Sequence, residues 1–170
     1  MMPKELAKAH ENGDLYFHDL DSYNLTINCL HIPTKEVLER GFNTGYGTIK
    51  KPKRIETAAE LSCILLQSSQ NDMFGGQSHA DFDNDLGVFI EPTRKEIRDE
   101  LIELGIDDKK IEAITEKKLK DRVHQAMQGI VYNLNTMHSR AGSQVPFSSI
   151  NLGIPNSDDA ALICEVFLKE

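Results

Sequence analysis

The stretch from residue 55 to about residue 71 constrains the fold most. Ile55, Ala59, Ser62, Leu66 and Ser69 fall on one stripe of a helix, and Leu61, Ile64 and Leu65 widen that stripe. A helix apolar over so much of its circumference has to be covered on more than one side. Gly75-Gly76 ends the segment.

Strand signals lie on both sides of it. After a turn at Gly13-Asp14, residues 15–18 read as a strand with Leu15 and Phe17 on one face, broken at 19–22. Residues 24–31 (NLTINCLH) alternate again, with Leu25, Ile27 and Cys29 on one face and Thr26 and Asn28 on the other. Residues 142–153 (GSQVPFSSINLG) return to strand chemistry, small and β-branched, suited to a crowded interior.

Further helices are predicted from Thr34, as N-cap, through Arg40 with Gly41 as the stop. Another follows a capping box at Thr93–Glu96, carries Ile97, Leu101 and Leu104, and closes at Gly105. A short pattern begins near Asp108 with Ile111 and Ile114. A longer one carries Leu119, Val123, Met127, Ile130, Leu134 and Met137 to about Ser139. Ser157-Asp158 caps a last helix whose Ile163, Val166 and Phe167 find few apolar partners in the sequence. The expectation is a single mixed α/β unit over residues 1–170, a piece of something longer.

At 170 residues, 39% hydrophobic and 27% charged, the chain suits one globular core. Its net charge of -8 and pI of about 5.2 argue against coating nucleic acid or anionic lipid. No apolar run reaches the roughly 18 residues of a membrane span. The polar N-terminus is no signal peptide. Cys29, Cys63 and Cys164 form no CxxC pair and no even-numbered framework, which suits a reducing cytoplasm.

Cys29 has two readings: a buried structural cysteine, the commoner role on pattern alone, or a redox or radical thiol on a rigid strand. Cys63 and Cys164 lie in helical apolar patterns and read as core. Lys50, Lys51, Lys53 and Arg54 crowd before the Ile55 helix, preceded by Gly45-Tyr46-Gly47. Basic side chains at a helix N-terminus after a glycine-rich approach suit a phosphate, although no P-loop is present; a solvated basic loop explains the same residues. Asp81, Asp83 and Asp85 fail the EF-hand pattern and read as an exposed acidic loop or a general cation site. No zinc spacing occurs among the Cys and His residues.

Several strings, in order and at matching spacing, resemble the central part of the anaerobic (class III) ribonucleotide reductases. They are YFHDLD, LTINCLH, GFNTGYG, KPKRIETAAE, SSQNDMFGGQSHADFD and NLNTMHSRAGSQVPFSSINLG. The match covers most of the chain and is weakest between residues 89 and 120. It implies part of a ten-stranded α/β barrel of the glycyl radical enzyme type, with long helices forming a dimer and effector interface. The implied chemistry replaces the ribose 2′-hydroxyl of ribonucleoside triphosphates by hydrogen, using a glycyl radical made by a radical-SAM activase and electrons from formate.

Carried over by position, Cys29 matches the barrel-strand cysteine facing the ribose from the reductant side, not the one that becomes the thiyl radical. Asn28, Ser148 and Ser149 are the substrate-contact candidates. Gly45, Gly47, Lys53 and Arg54 match the approach to the effector site for ATP or deoxynucleotides. The Ile55 and Leu119–Met137 helices match the dimer-forming pair. This sequence carries no finger-loop cysteine, glycyl-radical tail, four-cysteine zinc site or ATP cone, so alone it is expected to reduce nothing. A stand-alone nucleotide-binding and dimerisation module is the alternative. Kinship to pyruvate formate-lyase is weaker, because that family pairs adjacent cysteines.

Overall fold

The computed structural model describes residues 2–17, 27–73 and 75–170. The elements run α1 (Lys4–Glu11), β1 (Leu30–Ile32), α2 (Thr34–Arg40), β2 (Phe42–Asn43), β3 (Thr48–Ile49) and α3 (Ile55–Ser69). After a 3₁₀ turn at Gln70–Asp72 come β4 (Gln77–His79), α4 (Phe82–Gly87), α5 (Ile90–Glu103), α6 (Asp108–Thr136), β5 (Ser148–Ile150) and α7 (Asp158–Phe167). β1, β4 and β5 form a parallel sheet in that order, and β2 and β3 form an antiparallel hairpin. Among the described residues this is a mixed α/β fold with a small parallel sheet, and no closed barrel is present. Three strands of three residues each cannot close on themselves, and β1 and β5 remain edges.

The constraint read from residues 55–71 is met in full. On α3, Ile55, Ala58, Ala59, Leu61, Ser62, Cys63, Leu65 and Leu66 are all buried. Four of these are large aliphatics, each worth about 1.5–3 kcal/mol in removed surface. The helix packs along α6, as expected of the two long apolar helices, and Gln67 Nε2 donates to Asn133 Oδ1 across that contact at 2.6 Å. Near its C-terminus, the Leu66 carbonyl accepts from Gln77 Nε2 of β4 at 2.7 Å, which fastens the helix to the sheet.

The N-terminus of α3 is capped from another helix. Thr93 Oγ1 accepts the Ile55 N–H at 2.9 Å and donates to the Phe89 carbonyl at 2.8 Å. The expected capping box at Thr93 is therefore corrected: α5 begins at Ile90, Thr93 is fully buried inside it, and Pro92 sits in the first turn, where its missing N–H costs nothing. Thr34 does not cap α2 either. Its hydroxyl lies 2.5 Å from His79 Nδ1, and the Asp85 carboxyl faces the Thr34 and Lys35 N–H groups instead. Burial raises the Asp85 carboxyl above its ordinary value, and those N–H groups oppose the rise. Gly41 does end α2, at φ 75°, and a Cβ there would sit 2.4 Å from the Ile49 carbonyl oxygen. Ser157 caps α7 as expected, accepting from the Ala160 N–H.

Other expectations change. The two patterns after Asp108 are one 29-residue helix, because Thr115, fully buried, fills the position in the stripe that had looked like a gap. α1 has no buried residue and so offers no core-facing stripe to read; it rests on good helix formers such as Leu6, Ala7 and Ala9. Residues 15–17 are not a strand; the Phe17 N–H donates to His10 Nδ1 at 3.1 Å. Residue 18, the break at 19–22 and residues 24–26 lie outside the described residues. β1 begins only at Leu30, and Ile27 makes an isolated bridge to Met73.

Arg94 ties three helices together. From α5 it donates to Glu116 of α6 at 2.8 Å and Asp159 of α7 at 2.5 Å, and it also pairs with Glu91. The Asp159 bond, more than any other contact, holds the guanidinium well above its ordinary pKa. No helix among the described residues is long and apolar enough to cross a membrane.

Thr93→Val keeps the volume but strands the Ile55 N–H. The expected loss is about 1–2 kcal/mol of stability, read as a lower urea midpoint at unchanged slope; an unchanged midpoint would remove Thr93 as the cap of α3.

Candidate functional site

Parallel register divides the sheet into two faces. Leu30, Gln77 and Ser148 lie opposite one another, as do Ile32, His79 and Ile150. These rows turn toward the helices: Ile32, Gln77 and His79 are buried, and Leu30 and Ile150 pack on the core. The middle row, His31, Ser78 and Ser149, turns the other way. Cys29, two residues before His31, continues that open face.

A cavity of about 360 Å³ opens there, lined by Cys29, Leu30, His31, Gly76, Gln77, Ser78, Phe147, Ser148 and Ser149. Cys29 is exposed, so the buried-core reading of this cysteine is corrected. Cys63 is buried as expected, and burial pushes its thiol up to about 11, whereas Cys164 is only partly buried. Of the substrate-contact candidates, Ser148 and Ser149 line the cavity, and by register only Ser149 shares the Cys29 face. Ser148 Oγ turns back to the Pro146 carbonyl at 3.4 Å. Asn28 does not line the cavity; its carbonyl accepts the Gly75 N–H at 2.6 Å.

The glycine pair that reads only as a helix stop shapes this cavity. A Cβ on Gly75 would lie 2.2 Å from the Asn28 carbonyl oxygen and 2.8 Å from Cys29 Sγ. A Cβ on Gly76 would lie 2.8 Å from the Phe147 ring. The missing side chains let β1 and β5 close on β4 while the thiol and the ring keep their places. Sequence reasoning missed Gly75, Gly76, His31, Ser78 and Phe147. The adjacent glycines were the one local signal, and their role depends on which strand lies alongside.

The basic approach to α3 is dispersed. Gly45 and Gly47 form the tip of the β2–β3 hairpin, where the Gly45 N–H donates to Asn43 Oδ1 at 2.7 Å. Arg54 is committed to Glu96 through Nε at 2.7 Å, and Lys51 to Glu39 at 3.1 Å. Lys53 lines a groove of about 780 Å³ with Lys51 and Lys95, faced by Glu96, Asp99, Glu100 and Glu103.

The acidic alternation is not an exposed loop. Asp83 is fully buried and accepts the Gly153 N–H at 2.7 Å, while Asn84 Oδ1 accepts the Asn156 N–H at 2.9 Å; α4 thereby clamps the segment after β5. Among the described residues no group of three or more His, Cys, Asp or Glu is placed to hold a metal ion.

A thiol on the open face of a parallel α/β sheet, with hydroxyls and an imidazole alongside, defines a cysteine-bearing cavity. The sequence matches the family described as anaerobic ribonucleoside-triphosphate reductase along residues 1–170, and the chain belongs to that family. It is 29% identical over 171 residues to the anaerobic ribonucleoside-triphosphate reductase of Escherichia coli, covering 99% of this chain and 24% of that protein. It is 29% identical to the enzyme of that name from enterobacteria phage T4 over 172 residues, 99% of this chain and 28% of the relative. The Haemophilus influenzae enzyme of that name is 26% identical, with 99% and 24% covered. The chain thus spans about a quarter of the length of these relatives.

On the buried face, His79 has a lowered pKa of about 4 against an ordinary 6.5, because burial disfavours its charged form and the Ser62 carbonyl only partly compensates. Below about pH 6.5 the unfolded chain takes up a proton that the native ring refuses. Stability is therefore complete above that pH and falls as pH drops toward 4, by about 3 kcal/mol in all. Urea titrations at pH 7.5 and 5 should show about 2 kcal/mol of this loss. A His79→Asn chain should lose clearly less; equal losses in the two chains would contradict a neutral buried His79.

Proposed function

We propose that this chain forms the Cys29 side of the substrate site in an anaerobic reductase that converts ribonucleoside triphosphates to deoxyribonucleotides, with formate as reductant. The single observation that carries the reading is the exposed Cys29 thiol on the open face of a parallel sheet, in a cavity lined also by His31, Ser78 and Ser149, within a chain of this family. In this reading the three strands are part of a ten-stranded barrel wall, and their open face is its interior. The glycyl radical, generated by a radical-SAM activase, supplies the radical chemistry. None of the residues described is assigned to carry that radical or the family's zinc.

What these residues do is local. Gly75 leaves room for the Cys29 sulfur, and the bonds from the Gly75 N–H to the Asn28 carbonyl and from the Leu30 N–H to the Gly76 carbonyl hold the backbone on either side of it. The thiol would give a hydrogen atom to a carbon-centred radical of the ribose, the S–H bond breaking as the C–H bond forms, and formate, oxidised toward carbon dioxide, would return a hydrogen atom to the sulfur. Ser149 offers a hydroxyl on the same face, Ser148 lines the floor and Asn28 stands behind the thiol. A nucleotide-binding module without catalysis is not favoured, since the relatives all carry the reductase name.

Two further parts belong to this reading. A second copy of the chain packs against the α3–α6 face, where a groove of about 360 Å³ is lined by small residues including Ala59, Ala126 and Gly129. The effector nucleotide reaches its site past the β2–β3 hairpin with Gly45 and Gly47, and Lys53 contacts its phosphates. Arg54, held by Glu96, sets the edge of that site. The whole would work in the cytoplasm.

Cys29→Ser in the full-length enzyme should retain fold and radical content yet lose formate-dependent deoxynucleotide formation, because an O–H bond is much stronger than S–H. Turnover within a few-fold of the unsubstituted enzyme, at matched radical content, would return Cys29 to a structural role. A charge-assisted phosphate contact is worth roughly 1.5–3 kcal/mol, so Lys53→Ala should weaken effector binding about tenfold or more. Calorimetry with a deoxynucleotide is the check, and unchanged affinity would take Lys53 out of the site.

A further inference from the structure

The open face of the sheet holds a second ordered feature besides the thiol. His31 and Ser78 lie opposite one another in the parallel register, and His31 Nδ1 is 2.5 Å from Ser78 Oγ. Ser78 is 4% exposed, whereas His31 is exposed and lines the Cys29 cavity. We propose that His31 is a positioning residue of this cavity: a hydrogen-bond donor, fixed by Ser78, that orients a substrate oxygen beside the Cys29 thiol. The inference rests on the cavity being the reductase substrate site and names a residue that the family resemblance did not supply.

Three points carry it. A buried hydroxyl that fails to donate loses a hydrogen bond it had in water, and the acceptor Ser78 meets is Nδ1. Donation to Nδ1 places the proton of the neutral ring on Nε2, so the ring offers an N–H, not a lone pair, to the open face.

The register supplies the second point. Ser149 lies opposite Ser78, so an imidazole and two hydroxyls stand in a row across the sheet. Cys29 is two residues along the same strand direction, about 6–7 Å away. That separation fits a sugar hydroxyl or a phosphate oxygen a few bonds from the carbon that meets the thiol. Such an oxygen is an acceptor, which an N–H recognises.

The third point is contrast. His79, on the neighbouring strand and the opposite face, is enclosed by Thr34, Phe82 and the core and can meet no ligand. The pleat turns the two histidines to opposite faces of the sheet.

The test combines a spectroscopic and a kinetic reading on the full-length protein. Nitrogen NMR of the histidine-labelled chain, assigned with His31→Gln, should show His31 as the Nε2–H tautomer, and Ser78→Ala should convert it to a mixture. His31→Phe keeps a ring on an exposed position and removes the donor; KM for the ribonucleotide should rise about tenfold with kcat within a few-fold. His31→Gln, which restores an N–H at similar reach, should recover most of that loss. An Nδ1–H tautomer in the unsubstituted protein would overturn the proposal. So would an unchanged KM in His31→Phe while Cys29→Ser loses turnover, and that result would leave the cavity reading intact. Retained turnover in Cys29→Ser would instead overturn the cavity reading and this inference with it.

Discussion

Helix α3 has no face to spare for solvent beyond a narrow polar strip, and the rest of the molecule is arranged to cover it. α6 covers one side, and the sheet reaches it through Gln77 and the Leu66 carbonyl. α5 supplies the hydroxyl that satisfies its first N–H. A helix end buried without such a partner would leave an unpaired donor, so Thr93 is part of what allows α3 to be buried at all. Because α3 also anchors β4, the central strand of the sheet, the cavity on the far face of that strand inherits its position from the same burial.

The sheet separates stability from chemistry with the period of the pleat. Residues 32 and 79 face the helices, residues 31, 78 and 149, with Cys29, face the cavity, and Leu30 and Gln77 pack toward the helices while bounding its floor. One consequence is visible in the two histidines, one held neutral in the interior and one paired with a serine at the open surface. Another is that the thiol sits just before β1, on backbone bonded on either side to Gly75 and Gly76, where small side-chain motions cannot move it far.

The electrostatics are similarly divided. Arg94, only partly exposed, is surrounded by Glu91, Glu116 and Asp159 and works as a cross-link between helices. The basic run before α3 is partly spent on Glu39 and Glu96, and the groove beside it sets three lysines against four carboxylates. A ligand phosphate there would meet Lys53 as a local charge within a mixed surface, in a chain whose overall charge is negative.

The residues by themselves determined the long helices, since periods of three and four residues are local: Ile55 to Leu66 and Leu119 to Ile130 declare their buried faces without a partner. They determined the Gly41 and Ser157 boundaries for the same reason, as these depend on one residue's backbone freedom or one side chain's reach. The order and spacing of strings such as LTINCLH and SSINLG were enough to place the chain in its family and to single out Cys29. Tertiary structure alone decided the rest. Thr93 changed from cap of its own helix to cap of another, Thr115 joined two patterns into one helix, and Asp83 became a buried clamp, because each polar group took the partner that packing brought to it. Gly75 and Gly76 became cavity walls for the same reason. Whether His31 meets Ser78, and whether Ser149 joins them, is set by parallel register between strands about fifty and seventy residues apart. No local period encodes such pairings, because their energy exists only once β4 lies between β1 and β5.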